Sequence, residues 1–203
     1  MNEMVVSGRA AARAPVHNVG VDPYVAFQPA APTLNAVAEM KRVFKWHSAA
    51  RYVLLDDDEQ AKEVLAMVPA EERLAEVKTL FHSAEFSDAG EAFLHLAVGA
   101  MLAAENTVND TYRFAIADSV YNDDEVWNGY QPGFSCPVIV RSIRQARLLG
   151  ALPTCGEFVA MCVKHRAQFR TWRMNIETLV GLRYRAQTIL GDLGPDDPNW
   201  IPF

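Results

Sequence analysis

Arginines and aromatic side chains alternate along the last third of this 203-residue chain in a pattern that suits contact with another macromolecule. Arg141 and Arg144 fall on one helical stripe, and Arg147 lies close to it. Arginine binds carboxylates and phosphates through a planar fork of donors, and interleaved aromatic rings favour stacking or interface contacts. The pattern predicts a binding surface rather than a catalytic centre. Its predicted contact residues are Arg141, Arg144, Arg147, Arg166, Arg170, Arg173 and Trp172.

The charge distribution leaves three interpretations of this arginine surface open. Residues 1–135 carry 10 Lys or Arg against 20 Asp or Glu, whereas residues 136–203 carry 9 against 5. The surface can bind a protein, it can bind nucleic acid, or it can be a solvated basic face that neutralises the acidic half. The net charge of −6 makes nucleic acid the secondary partner, because DNA binding relies on a dominant positive field.

Two acidic runs offer a different chemistry. They comprise Asp56, Asp57, Asp58 and Glu59, and Asp123, Asp124 and Glu125. Carboxylates bind hard cations such as Mg²⁺ or Ca²⁺, but neither run has the spacing of an EF-hand loop. Both stand where a helix should begin, so helix capping explains them better. As an alternative, the acidic surface mimics phosphates and inhibits a host nucleic-acid-binding enzyme, such as a defence nuclease.

The cysteines and histidines do not form a convincing metal or catalytic motif. Cys155, Cys162 and His165 lie close in sequence and Cys136 could complete a zinc set, but no C-x-x-C pair is present. Small buried thiols beside a surface histidine are the preferred interpretation. No glycine-rich phosphate loop or nucleophile motif occurs, so we expect no enzyme, metal or cofactor, unless distant residues assemble a catalytic site.

Helical signals dominate the chain, and no convincing strand alternation appears, so the predicted class is all-α. We expect an extended N-terminal arm over 1–32, where four prolines occur, and an acidic helical bundle over 33–127. A basic, helix-turn-helix-like subdomain should follow over 134–190, with a tail over 191–203. No segment reaches the roughly 18–20 apolar residues of a membrane span, and no secretory signal is recognisable. A soluble, cytoplasmic protein is therefore expected.

Local signals place the helix ends. Asn109 and Ser135 should cap helices, and Thr154 with Glu157 has the spacing of a capping box. Gly150 suits a left-handed helix end. The helix after Thr154 is expected to run to about residue 190, with a kink near Thr171, and Phe114 is among the expected core residues.

The segment 134–166 resembles part of the lambda-type phage replication P proteins, which are helicase loaders. In that family an R-x-A-R-like helix end leads through L-P-S-P into G-Q-F-V-A-W-C. The present chain reads RQAR at 144–147, LPTC at 152–155 and GEFVAMC at 156–162. The similarity covers about 30 residues of the 203.

This resemblance implies an all-α adaptor of phage or mobile-element type that binds a host replicative helicase and has no catalytic activity of its own. Arg144 and Arg147 are then expected among the helicase contacts. The family carries a substantial C-terminal extension associated with helicase binding, whereas about 40 residues follow the motif here. Binding, rather than loading of the helicase, is therefore the expectation.

Overall fold

A computed structural model describes most of the chain after its first 26 residues. The described residues are 27–50, 55, 57–105, 107, 109–122, 132–194 and 197–198. Within these ranges the chain forms seven α-helices and no strand, which confirms the all-α prediction. The helices are α1 (Ala31–Ala50), α2 (Asp58–Met67), α3 (Glu71–Phe86), α4 (Glu91–Ala104), α5 (Asp110–Tyr121), α6 (Cys136–Arg147) and α7 (Cys155–Ile189).

Three helices begin at side chains that satisfy otherwise unbonded N–H groups of the first turn. Asp57 accepts a hydrogen bond from the backbone N–H of Gln60 at 2.8 Å, and Asn109 does the same for Tyr112 at 2.9 Å. The capping box before α7 is present, since Thr154 and Glu157 bond each other's backbone N–H groups. These starts were predicted from short-range sequence alone.

Two other helix starts differ from expectation. The first helix begins inside the expected N-terminal arm, because a 3-10 turn over Gln28–Ala30 leads directly into α1. Prolines in a first turn remove no helical hydrogen bond, so Pro32 does not prevent this. Ser135 precedes α6 but makes no capping bond; its hydroxyl donates instead to the carbonyl of Ala84 at 2.7 Å. The rest of the expected arm, residues 1–26, lies outside the described residues.

Helix α7 organises the fold. It spans 35 residues without interruption, about 50 Å at 1.5 Å per residue, so the helix is not broken near Thr171, where a kink was expected. It packs against α2, α3, α5 and α6. The buried rings of Phe81 on α3 and Phe169 on α7 lie 5.8 Å apart. Because α7 belongs to the basic segment and α2 to α5 to the acidic one, both segments share one hydrophobic core.

The outer surface departs from prediction at one aromatic residue. Phe114 was expected in the core, but its side chain is 60% exposed, and it packs edge-on against His95 at 5.2 Å. Ile116 and Val120 on the same helix are buried. No helix in the described part of the chain is long and apolar enough to cross a membrane.

Candidate protein-docking surface

Arg141 lies between α6 and α7 rather than on the outer surface. Its Nε donates to Nδ1 of His165 at 3.3 Å, and its Nη2 donates to Oε1 of Gln168 at 2.8 Å. The guanidinium also sits over the Trp172 ring, 4.9 Å from its centroid, in a cation–π contact. Burial, together with the nearby charge of Arg144, lowers the pKa of Arg141. Arg141 and Trp172 are therefore parts of the α6–α7 packing.

Arg166 and Arg173 also turn toward the protein. Arg166 donates to the carbonyl of Gly133 and lies over the Phe134 ring, 4.3 Å from its centroid. Arg173 forms an ion pair with buried Glu85, with 2.9 Å between Nε and Oε2. A buried carboxylate requires such a cation, because its desolvation is otherwise uncompensated. The prediction of a single outward arginine surface is therefore wrong for Arg141, Arg166 and Arg173. Their positions around α6 and α7 direct these side chains toward other parts of the protein.

The C-terminal half of α7 uses further arginines as structural ties. Arg183 donates to the carbonyl of Val68 at 2.9 Å, and Arg185 donates to the carbonyl of Leu55 at 3.0 Å. Arg170 remains exposed and lies 3.9 Å from Glu85. Five of the nine cations after residue 135 are thus engaged within the molecule. The interpretation as a basic face that neutralises the acidic half fits Arg173 and Arg170, which pair with Glu85, whereas Arg183 and Arg185 bond backbone carbonyls.

Arg144 and Arg147 face outward at the end of α6. Both are exposed, and no hydrogen bond or ion pair joins either to another residue in the described part of the chain. Directly after them, Leu148 is 86% exposed and Leu149 is 56% exposed. We call these four residues the α6–α7 tip. Large exposed apolar side chains beside unengaged arginines are typical of a protein interface.

The backbone holds the α6–α7 tip in place. The N–H groups of Leu148 and Leu149 bond the carbonyls of Gln145 and Ala146, both at 3.0 Å. Gly150 then adopts a φ of 70°, the left-handed conformation that ends a helix at low cost for glycine. On the far side of the turn, Tyr112 on α5 donates its hydroxyl to the carbonyl of Pro153 at 2.8 Å. The two leucines are thus presented on a fixed turn.

A shallow depression lies behind the turn and is open to solvent; it encloses about 10 Å³, roughly the space of one water molecule. Its ionisable lining residues are Glu105 and Arg147, and the remaining lining is apolar or backbone. Among the described residues, this depression brings together no third ionisable group of the kind that acid–base chemistry uses.

The thiols and histidine considered for zinc occupy separate environments. Cys162 is fully buried, and burial raises its pKa to about 12. His165 is buried too, contrary to the surface position expected; burial and the adjacent Arg141 lower its pKa to about 4. Among the described residues no three His, Cys, Asp or Glu side chains come together as metal ligands.

The acidic surface is only partly placed. Asp57 is the N-cap of α2. Asp58 and Glu59 lie exposed in the first turn of this helix, where their negative charges interact favourably with the positive end of the helix dipole. Asp56, Asp123, Asp124 and Glu125 lie outside the described residues. The placed carboxylates are therefore explained by helix capping.

Sequence reasoning missed Leu148, Leu149 and Glu85. Two consecutive leucines after a helix's basic last turn were a signal for the α6–α7 tip. Glu85 falls four residues after Phe81, on the apolar stripe of α3, which indicates a buried carboxylate in need of a cation. No protein-family model, curated protein or solved structure matches this chain, so the interpretation of the site stands on geometry alone.

Proposed function

We propose that this protein is a non-catalytic adaptor that binds a partner protein through the α6–α7 tip. The observation that carries the proposal is the pairing of two highly exposed leucines with two arginines that have no partner among the described residues. Burying Leu148 and Leu149 would contribute most of the binding energy, since each exposes apolar area that water solvates poorly. Arg144 and Arg147 would select a partner with carboxylates at the rim of an apolar groove.

The sequence resemblance supplies the candidate partner, a host replicative helicase. RQAR at 144–147, which carries the resemblance, contains both arginines of the α6–α7 tip. The adaptor would act as a phage or mobile-element replication factor that recruits the helicase. Direct contact with nucleic acid is a secondary role, because most of the other C-terminal arginines are engaged internally.

A pull-down with a purified replicative helicase tests this function. We expect Leu148→Ser/Leu149→Ser and Arg144→Glu/Arg147→Glu each to reduce binding by at least about tenfold. The matched control is Lys41→Glu/Lys45→Glu, which makes the same charge change at exposed positions of α1 and should leave binding unchanged. Equal retention by all three variants, or no retention by wild type, would contradict the proposal.

The alternative function, inhibition of a defence nuclease by an acidic surface, predicts a different outcome. Binding to a nuclease would then fall on Asp58→Asn/Glu59→Gln and with rising salt, and the α6–α7 tip variants would bind normally. The structure offers this alternative less support, because the acidic residues it places serve the start of α2.

A further inference from the structure

The outward side of α7 carries an uncharged line of residues opposite the core. Its members follow one another by four, three, four and three positions, which keeps them on one helical face. Met174, at the centre, is 55% exposed although it is a large apolar side chain. We call this line the α7 seam: Ala167, Thr171, Met174, Thr178 and Gly181.

The two threonines of the α7 seam present little polarity to a partner. The hydroxyl of Thr171 donates to the carbonyl of Ala167 at 3.2 Å, and that of Thr178 donates to the carbonyl of Met174 at 3.4 Å. Hydroxyls bonded back to their own helix require no bond from outside. A partner can therefore cover both residues without leaving a buried donor unsatisfied.

Gly181 ends the α7 seam without a side chain. Glycine destabilises a helix interior relative to alanine, and Gly181 is not among the glycines with positive φ. A Cβ added there would meet no atom within 4 Å. Glycine in a helix allows another backbone to approach closely, and no element of the described chain does so here. Gly181 therefore leaves room at this end of the α7 seam for the backbone of a second molecule.

Size and charge around Met174 match those of a two-fold contact. In an antiparallel pair, residues equally far before and after the central residue come opposite each other. Ala167 then faces Gly181 of the second copy, small against small, and Met174 meets its own counterpart. Arg170 comes next to Glu177 of the second copy on the same edge, so the charges are complementary.

Arg170 and Glu177 can each form a further ion pair with a second copy. The ion pairs of Glu177 with Lys78 and Arg173, at 3.1 and 3.5 Å, both use Oε1, which leaves Oε2 available. Arg170 is exposed, and its 3.9 Å approach to Glu85 involves Nε, so its terminal nitrogens can reach outward. Each two-fold pair would gain this ion pair twice.

We propose that two copies of this chain associate along the α7 seam as an antiparallel pair with Met174 at the two-fold axis. The α6–α7 tips then point to opposite ends of the dimer. Each tip begins about 30 Å from the axis along α7, at 1.5 Å per residue. Such a dimer is bivalent, and it can form whatever the tip binds.

Disulfide crosslinking tests the arrangement. Under mild oxidation Met174→Cys should form a covalent dimer, because a residue at the axis meets its own counterpart at disulfide distance. Ala160→Cys is the matched control: it lies exposed on the same helix, but its counterpart would be about 40 Å away in the antiparallel pair. Equal crosslinking of both variants would exclude the antiparallel arrangement. Wild type that sediments as a monomer up to about 0.1 mM would exclude the dimer.

Charge reversal provides a second, independent measurement. Arg170→Glu and Glu177→Arg should each weaken the dimer by roughly tenfold in sedimentation equilibrium, and the double variant should restore it. Within one copy these residues are linked only indirectly, through Glu85 and Arg173, so each variant's stability is measured beside its dimerisation. Circular dichroism confirms that each variant is folded. A folded double variant that dimerises no better than the single variants would overturn the proposed register.

Discussion

Arg141 and His165 are joined by a hydrogen bond of 3.3 Å that ties α6 to α7. Because the Arg141 Nε–H donates, Nδ1 of His165 is the acceptor, and the neutral ring carries its proton on Nε2. A positive charge on His165 would remove this acceptor and place two cations side by side. Burial and Arg141 accordingly lower the pKa of His165 to about 4.

We expect this histidine to make the protein acid-sensitive. Between about pH 6.5 and pH 4 the unfolded chain binds a proton at residue 165 that the folded state does not, so stability falls as the pH falls through that window. Wild type should lose about 2 kcal/mol more than His165→Gln between about pH 7 and pH 4.5. Urea unfolding of both proteins at both pH values measures this, and equal losses would contradict it.

Arg141 and Arg144 should differ sharply in their effect on stability. Arg141→Met removes two hydrogen bonds and the cation–π contact with Trp172, at an expected cost of about 2 kcal/mol. Arg144→Met is the matched control one turn away, exposed and without a described partner, and should change stability by less than about 0.5 kcal/mol. The denaturant midpoints of the two variants measure this difference. Equal midpoints would mean that Arg141 points outward, as Arg144 does.

The negative charge of Glu85 should stabilise the fold, because the residue is buried beside arginines. Glu85→Gln keeps the shape but removes the charge that faces Arg173 at 2.9 Å, and should destabilise the fold by about 1–2 kcal/mol. Glu76→Gln, on the same helix, removes an exposed carboxylate from its pair with Arg73 and should cost at most about 0.5 kcal/mol. Thermal unfolding of both variants provides the comparison; similar melting temperatures would mean that the Glu85 pair contributes no more than a surface pair.

Gly133 should not accept a side chain. Its φ is 92°, and a Cβ there would lie 2.5 Å from the Asp88 carboxylate, so Gly133→Ala should destabilise by more than about 2 kcal/mol. Gly156→Ala is the control, since a Cβ there meets nothing within 4 Å, and it should stabilise the helix by about 0.5 kcal/mol. Unfolding free energies of the two variants would refute this if they shifted in the same direction.

Structural features set by residues close in sequence were predictable, whereas features set by residues distant in sequence were not. Asp57, Asn109 and Thr154 begin helices through bonds to residues three positions away, so the sequence reveals them. Ser135 looks the same in sequence, but its hydroxyl bonds Ala84, 51 residues away, and no local rule foresees that. Helical class and most helix bounds were therefore predictable, whereas long-range hydrogen bonds were not.

The candidate site was predictable only in part, for a related reason. The spacing of Arg141 and Arg144 places both on one side of α6, yet one lies against α7 and the other faces solvent. Which of them turns inward depends on where α7 passes, and the sequence of α6 does not contain that information. Arg144 and Arg147 were correctly placed on the outside, whereas Arg141, Arg166 and Arg173 were not.

Because α7 is uninterrupted, its residue count fixes both the length of the helix and the direction in which each side chain points around its axis. Every residue inserted into an α-helix turns all that follows by about 100°. The N-terminal half of α7 meets α6 through His165, and the C-terminal half meets the end of α2 through Arg183. One extra residue between these two positions would rotate the contact residues of one half of α7 by about a quarter-turn away from the elements that they now meet. For the fold of a single copy, the number of residues in α7 is thus constrained more strongly than the side chains on its outer face.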